Sequence, residues 1–160
     1  MTRPTVMQGV VFSLGGEDFA LPVETVREIL DHRPAFRMPQ GPAWFAGLIE
    51  VRGEAIPIAD LGVRLGLPPA AIGVTTRILV VDVAVAGRTL TLGLVVDRVL
   101  DVATFAGEDV EAAPDIGVRW RSDYIDGVVR RPDGFVVLLA APRIFSAEDG
   151  AVFSALDRAA

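Results

Sequence analysis

The sequence predicts an all-β protein built from small β-barrels, and three observations support this fold class. Short apolar segments recur at roughly regular spacing along the 160 residues, and glycine-containing turns separate them. Apolar residues make up 51% of the chain, which is sufficient for a packed core. Residues 47–58 and 127–139 share an order of glycine, two aliphatic residues, arginine, turn glycine and apolar strand, which favours two similar units.

The first segments predict a β-hairpin, then an ambiguous stretch and a loop. Residues 10–14 and 19–21 are two strands joined by a Gly-Gly-Glu-Asp turn. The apolar spacing of residues 23–30 favours a short helical turn, but the later part of this stretch can equally begin the next strand. Three prolines between residues 31 and 42 then predict an irregular loop.

A second hairpin carries an arginine at its turn. Two apolar strands, residues 48–51 and 55–58, flank Arg52-Gly53, where glycine can adopt the positive φ that a tight reversal needs. A permanently charged guanidinium at such a turn suits recognition of a carboxylate or a backbone better than acid–base chemistry. The residues alone also allow a surface arginine with no special role. Residues 63–69 follow as a short helical turn and a loop.

The second half of the chain predicts more strands, a long loop and a terminal helix. Residues 103–122 have few strand signals and predict the loop, and Ser146 can cap the final helix. A bulge is expected at Asp97. The predicted strands are residues 77–85, 88–94, 95–102, 124–129 and 135–139.

Composition excludes several classes of function. The net charge of −6 argues against nucleic acid and against an acidic membrane surface as partners. All 15 basic residues are arginine, which excludes a P-loop lysine and a Schiff-base lysine. With no cysteine and one histidine, neither thiolate chemistry nor a transition-metal site is expected. No apolar run reaches the roughly 18 residues of a membrane span, which predicts a soluble cytoplasmic protein.

No motif of the sequence is typical of an active site. His32 has no serine in a glycine-flanked nucleophile elbow as a partner, and no Gly-x-Gly-x-x-Gly opens a helix after a strand. Asp82 is unusual because it interrupts the valines of a predicted strand, and we expect its side chain to face solvent. The sequence therefore predicts a protein-binding module. The alternative is a small-molecule-binding β-barrel or a hydrolase with paired carboxylates.

Five motifs, in order along the chain, resemble the CheW family of bacterial chemotaxis adaptors. They extend from about residue 8 to residue 146, which is nearly the whole chain. The motifs are FSLGGEDFALPV (12–23), VREI (26–29), GLIEVRG with IPIADL (47–53 and 56–61), LVVDRV (94–99) and YIDGV (124–128).

The resemblance implies a CheW-like domain at residues 8–146 and a C-terminal helix at residues 147–160. The domain is expected to contain two intertwined five-stranded β-barrels that share an apolar core. The resemblance also implies a protein without catalytic activity, metal or cofactor.

A cytoplasmic scaffold, recruited to membrane receptor arrays, is the function that the resemblance implies. It would couple the cytoplasmic tips of chemoreceptors to the histidine kinase CheA, with no membrane insertion of its own. One barrel is expected to dock on the similar regulatory domain of CheA, and an apolar groove between the barrels is expected to hold a receptor helix. The partner-binding residues implied by the motifs are Arg52, Gly53 and Glu28, with the aliphatic residues Val26, Ile29, Val51 and Val96.

Two positions depart from the family pattern. Glu50 stands where asparagine or a similar residue is usual, and the last strand ends in Ala140-Ala141 where an aspartate is common. Both changes leave the fold unaffected but bear on which partners are bound. Two alternatives therefore remain open: an adaptor of a chemosensory system that controls pili, surface sensing or development, and a detached regulatory domain of a CheA-type kinase.

Overall fold

The computed structural model describes residues 6–39, 41–85, 87–112 and 124–145, and the predicted helix at residues 147–160 lies outside these ranges. Within them, two short helices are present, α1 (Leu61–Arg64) and α2 (Ala141–Ile144), and neither could cross a bilayer. The strands of the described ranges are β1 (Val6–Leu14), β2 (Glu17–Pro22), β3 (Val26–Asp31), β4 (Phe45–Val51), β5 (Glu54–Asp60), β6 (Arg77–Val85), β7 (Arg88–Val96), β8 (Arg98–Ala106), β9 (Val110–Glu111), β10 (Ile125–Arg131) and β11 (Gly134–Leu139).

The strands form two sheets, which confirms the all-β prediction with two subdomains. The six-stranded sheet has the order β8-β1-β2-β11-β10-β9, and the five-stranded sheet has the order β3-β6-β7-β5-β4. Neighbouring strands are antiparallel, except that β11 runs parallel to β2 and β5 runs parallel to β7. The five-stranded sheet is one continuous segment of chain between the two parts of the six-stranded sheet, so the subdomains are intertwined.

Three apolar clusters account for the two barrels and their shared core. All five strands of one sheet contribute to the first cluster, which includes Ile49, Ile58 and Val80. All six strands of the other sheet contribute to the second, which includes Val11 and Phe105. The third and largest cluster lies between the sheets and draws on β1, β2, β5, α1, β6, β7, β11 and α2. Each sheet therefore curls around an interior of its own, and the two sheets pack through the third cluster.

The central strands are buried on both faces, which explains their continuous apolar sequences. In β6, Ile78 and Val80 face the barrel interior, whereas Leu79 and Val81 face the core between the sheets. All four are fully buried. Such a strand reads as an unbroken aliphatic run because neither face meets water.

The ambiguous residues after β2 contain both of the predicted structures. Val23–Thr25 form one turn of 3-10 helix, and β3 begins directly after it. The helical turn and the strand were alternatives in the sequence, and they follow each other in the structure.

The weak internal similarity corresponds to a repeated hairpin–helix unit. β4, β5 and α1 form one copy, and β10, β11 and α2 form the other. Each hairpin has a register shift just before a glycine, Gly47 in one and Gly127 in the other. The backbone N–H of Asp60 donates to the carbonyl of Trp44 at 2.7 Å, and that of Ala140 donates to Tyr124 at 2.8 Å. Each residue of the first copy and its equivalent in the second copy are as far apart in sequence as Gly47 and Gly127.

A short segment covers the outer edge of each repeated hairpin. Phe36 makes an isolated β-bridge with Leu48 of β4, and Glu111 of β9 pairs with Val128 of β10. A Cβ on Gly47 would overlap the carbonyl of Phe36, so the covering segment requires glycine there. β9 has two paired residues and counts as a strand, so the sheet that contains β10 and β11 has six strands. The Phe36 segment has one paired residue and does not count as a strand, so the sheet that contains β4 and β5 has five. The predicted count of five in each barrel is therefore wrong by this short edge strand.

The predicted loop over residues 103–122 is also partly wrong. β8 continues to Ala106 because it pairs with β1 along its length, Phe105 opposite Met7 and Ala103 opposite Gly9. A 3-10 turn at Gly107–Asp109 then leads into β9. Residues 113–123 of the predicted loop lie outside the described ranges.

The two short helices differ in their N-terminal caps, and this difference predicts a stabilising substitution. The Asp60 carboxylate accepts from the N–H of Val63 at 3.2 Å, whereas Ala140, its equivalent, has no side-chain cap. We expect Ala140→Asp to raise the free energy of unfolding by about 0.5–1 kcal/mol. The gain is small because the N–H of Arg143 already donates to the Ala140 carbonyl at 2.9 Å. Denaturant titration measures it, with Asp60→Ala as the destabilised comparison. An Ala140→Asp protein no more stable than the parent would contradict this.

A second stability prediction concerns the narrow interior of the five-stranded barrel. A Cβ on Gly93 of β7 would overlap the side chain of Ile58 and lie 2.8 Å from Cγ2 of Ile78. We expect Gly93→Ala to lower the free energy of unfolding by about 1–3 kcal/mol through overpacking. Gly73→Ala is the matched control, since no atom lies within 4 Å of its added Cβ. Equal denaturation midpoints for the two variants would show that the interior accommodates a methyl group.

Candidate protein-binding site

The turn between β4 and β5 places an arginine in a backbone conformation that arginine rarely adopts. Val51 pairs with Glu54, so Arg52 and Gly53 alone make the reversal, with φ of 51° and 80°. Positive φ at both positions is characteristic of a type I′ turn, where Asn-Gly is the preferred sequence. A non-glycine residue in this region costs about 1–2 kcal/mol. Gly53 thus behaves as predicted, and the strain at Arg52 is an additional finding.

Arg52 forms an ion pair with Glu28, which the motifs had also singled out. Nη1 of Arg52 lies 2.9 Å from Oε1 and 2.7 Å from Oε2 of Glu28. The Arg52 side chain is 75% exposed, and that of Glu28 is 18% exposed. Both contacts use one nitrogen, and no other residue in the described ranges bonds the guanidinium. Nε and Nη2 can therefore donate to a carboxylate or carbonyl of another protein.

This ion pair joins the two edges of the five-stranded sheet. Glu28 belongs to β3 at one edge, and Arg52 directly follows β4 at the other. Arg27, also on β3, approaches Glu54 at the start of β5, with 3.9 Å between Nη1 and Oε2. No backbone ladder joins β3 to β4 among the residues that the structure describes. Side-chain ion pairs therefore bridge the gap between these two sheet edges.

The four predicted aliphatic residues do not share one surface. Ile29 is 44% exposed, and Val26 is partly buried at the margin of the core between the sheets. Val96 is fully buried in that same core, and Val51 is buried inside the five-stranded barrel. In this conformation Val26 and Ile29 are accessible to a partner, whereas Val51 and Val96 are buried. Contact of any of them with a partner stays a prediction.

The predicted partner-binding residues did not include Arg27, Glu54 or Thr91, which lie in the same cluster. Arg27 donates from Nε and Nη2 to the two carboxylate oxygens of Asp82, at 3.1 and 3.0 Å. Thr91 donates from its hydroxyl to Asp82 at 2.6 Å. The Asp82 side chain, expected to face solvent, is half-exposed, and both of its carboxylate oxygens accept hydrogen bonds. Its position within an aliphatic strand was the signal that could have identified this cluster.

A shallow cavity lies beside the Arg52-Gly53 turn. Its volume is about 260 Å³, and Phe36, Leu48, Ile49, Glu50, Gly53 and Ala55 line it. Phe36 is 73% exposed there. Glu50, which departs from the family pattern, is therefore on the surface next to the candidate site. The whole arrangement offers charged donors and acceptors with apolar contacts, which suits protein recognition.

The chain is similar in sequence to several known proteins. Residues 8–149 match the family model described as CheW-like domain. The chain is 31% identical over 140 residues to the Chemotaxis protein CheW of Rhizobium meliloti (strain 1021), which covers 88% of each chain. It is 30% identical over 131 residues to Protein PilI of Pseudomonas aeruginosa, covering 81% of this chain and 70% of that protein.

A solved structure is similar over almost the full length. The crystal structure of scaffolding protein TtCheW from Thermoanaerobacter tengcongensis matches with a TM-score of 0.78 and 25% sequence identity. The match covers 92% of both chains. The two-sheet architecture described above is thus shared with a scaffolding protein.

The strained turn generates a prediction that separates folding from recognition. Arg52→Asn removes the guanidinium but introduces the residue that a type I′ turn favours. Its exposed ion pair contributes at most about 1 kcal/mol, and relief of strain offsets this loss. We expect Arg52→Asn to unfold within about 1 kcal/mol of the parent and Arg52→Ala to be about 1 kcal/mol less stable than Arg52→Asn, because alanine keeps the strain. Denaturant titrations of both variants test this, and the reverse order of stability would contradict it.

Proposed function

This chain belongs to the CheW-like domain family, and from that premise we propose that it is a non-enzymatic adaptor of bacterial chemotaxis that couples chemoreceptors to a CheA-type histidine kinase. The observation that carries the proposal is the family match over residues 8–149. The likeness to a scaffolding protein over nearly the full length supports it. A cytoplasmic location, with recruitment to membrane receptor arrays through the receptors, belongs to the same proposal.

The candidate site supports a specific role for Arg52 in this coupling. Its exposed nitrogens can donate to a carboxylate or to the carbonyls at a helix end on the receptor. Val26 and Ile29, which precede and follow Arg27 and Glu28 on β3, offer apolar contacts for a receptor helix. Glu28 holds the guanidinium in place from the opposite edge of the sheet. We infer that receptor recognition combines one oriented cation with a small apolar strip.

The kinase partner would be engaged through similarity between barrels. Each subdomain curls around an interior of its own, so a barrel end is a preformed surface. The regulatory domain of a CheA-type kinase is expected to dock end to end on one of these ends. Preformed surfaces of this kind bind with little rearrangement.

An adaptor of a different chemosensory system is the second candidate. The similarity to Protein PilI, at 30% identity, favours it, since this relative is not named as a chemotaxis protein. Glu50 is exposed beside the Arg52-Gly53 turn, where it can alter the choice of partner. In that case the same adaptor role serves another set of receptors and another kinase.

Reconstitution with purified partners tests the adaptor role. We expect the chain to form a ternary complex with a chemoreceptor cytoplasmic fragment and a CheA-type kinase encoded in the same genome, measured by co-sedimentation. Arg52→Asn should weaken receptor or kinase binding by about tenfold or more, since hydrogen bonds to charged groups contribute about 1.5–3 kcal/mol.

Arg98→Asn is the control for that experiment. It removes an exposed arginine of β8, on the other sheet, and should leave both affinities unchanged. Absence of any complex with either partner would overturn the proposed function. Receptors and kinase from a second chemosensory gene cluster distinguish the two candidate systems, because only the cognate set should assemble.

A further inference from the structure

Toward the open end of the five-stranded barrel, the side chains that line the interior change from apolar to polar. On the inner faces of β6 and β7, Ile78, Val80 and Val95 line the interior. The next inward-facing positions toward the open end are Asp82 and Thr91, which lie opposite each other in the ladder. This end of the barrel is thus lined by a carboxylate and a hydroxyl, where an apolar interior would otherwise meet water.

Arg27 covers this polar end and ties three strands together. Its guanidinium holds Asp82 through two parallel hydrogen bonds, a geometry that fixes orientation as well as distance. The hydroxyl of Thr91 is the third donor to the Asp82 carboxylate, at 2.6 Å. The remaining nitrogen of Arg27 faces Glu54, two residues beyond Arg52. One side chain therefore connects β3, β6 and β7 and approaches the hairpin that carries Arg52.

The backbone around Arg27 depends on this connection. β3 is an edge strand, and its register with β6 shifts between Val26 and Glu28, which leaves Arg27 as the extra residue of a bulge. A bulge interrupts the ladder and leaves the local backbone direction less constrained. Glu28, directly after the bulge, is the residue that orients Arg52.

We propose that Arg27, held by Asp82 and Thr91, is the positioning residue for the Glu28–Arg52 pair. Its bidentate contact with Asp82 fixes the backbone of the bulge, and the bulge fixes the direction of the Glu28 side chain. Glu28 in turn orients Arg52 toward the partner. The inference rests on the proposed function for its consequence in binding, but its structural part concerns the free protein alone. An isolated exposed ion pair at this position would contribute little to stability and would not orient any other residue.

The first experiment follows Arg52 in the free protein. The Nε–Hε signal of Arg52 is identified in a ¹H–¹⁵N spectrum by its disappearance in Arg52→Lys. We expect Asp82→Asn and Arg27→Lys, which keep the size or the charge but lose the two-pronged contact, to shift or broaden this signal. Asp31→Asn is the matched control, since it breaks the Arg77–Asp31 contact of 3.5 Å at the other end of the same two strands. An unchanged Arg52 signal in both test variants, or an equal change in the control, would overturn the proposal.

The second experiment measures affinity for the receptor fragment and for the kinase. Asp82→Asn and Arg27→Lys are expected to weaken binding by about fivefold, whereas the control leaves it unchanged. In a Glu28→Gln background, Asp82→Asn should add no further loss, because its effect passes through Glu28. Additive losses would show that Arg27 does not act through Glu28.

Thr91→Val provides a variant of nearly the same shape if the charged substitutions fail to fold. It removes the hydroxyl that donates to Asp82 and accepts from Nη2 of Arg27 at 3.4 Å, and we expect the same direction of change with a smaller size. If the parent protein binds neither partner, the proposed function fails, while the Arg52 signal still decides the positioning role.

Discussion

Burial of β6 and β7 on both faces is the constraint on which the rest of this structure depends. These strands line the barrel interior on one side and the core between the sheets on the other. Any polar side chain on the inner face must therefore lie beyond the apolar part of the interior, where partners or water are available. Asp82 and Thr91 satisfy this condition at the open end of the barrel, and Arg27 reaches them from the neighbouring edge strand. The site is built where the apolar interior stops.

The two copies of the hairpin–helix unit share one backbone design but carry different turns. Both copies keep the glycine at the register shift, the covered edge and the hydrogen bond that closes the hairpin base. They differ at the turn, where one has Arg52-Gly53 and the other has Pro132-Asp133. The first turn presents its guanidinium to Glu28 on the other edge of the sheet. The proposed partner-binding arginine therefore lies in the part of the unit that contributes least to the core, in keeping with the general freedom of turns to vary.

The sequence supported the fold well because its strongest signals coincide with buried strands. The aliphatic run of β6, the alternation in β7 and the Gly-Gly turn between β1 and β2 all have local causes. The extension of β8 and the existence of β9 do not, because both strands are stabilised by pairing with residues far away along the chain. Glu28 and Arg52 could be named from motifs, but their contact depends on the curl of a five-stranded sheet. The positive φ of Arg52 was equally hidden, since a neighbouring glycine masks which residue bears the strain.

The intertwined order of the strands has a consequence for the newly made chain. Strands β3 to β7 are contiguous in sequence, so their sheet can assemble on the ribosome as soon as they emerge. β1 and β2, although synthesised first, find their remaining sheet partners only after β8, β10 and β11 have followed. The amino-terminal hairpin must wait with its apolar side chains unsatisfied. Nascent molecules are thus most vulnerable to misassociation in the interval before the last hairpin arrives.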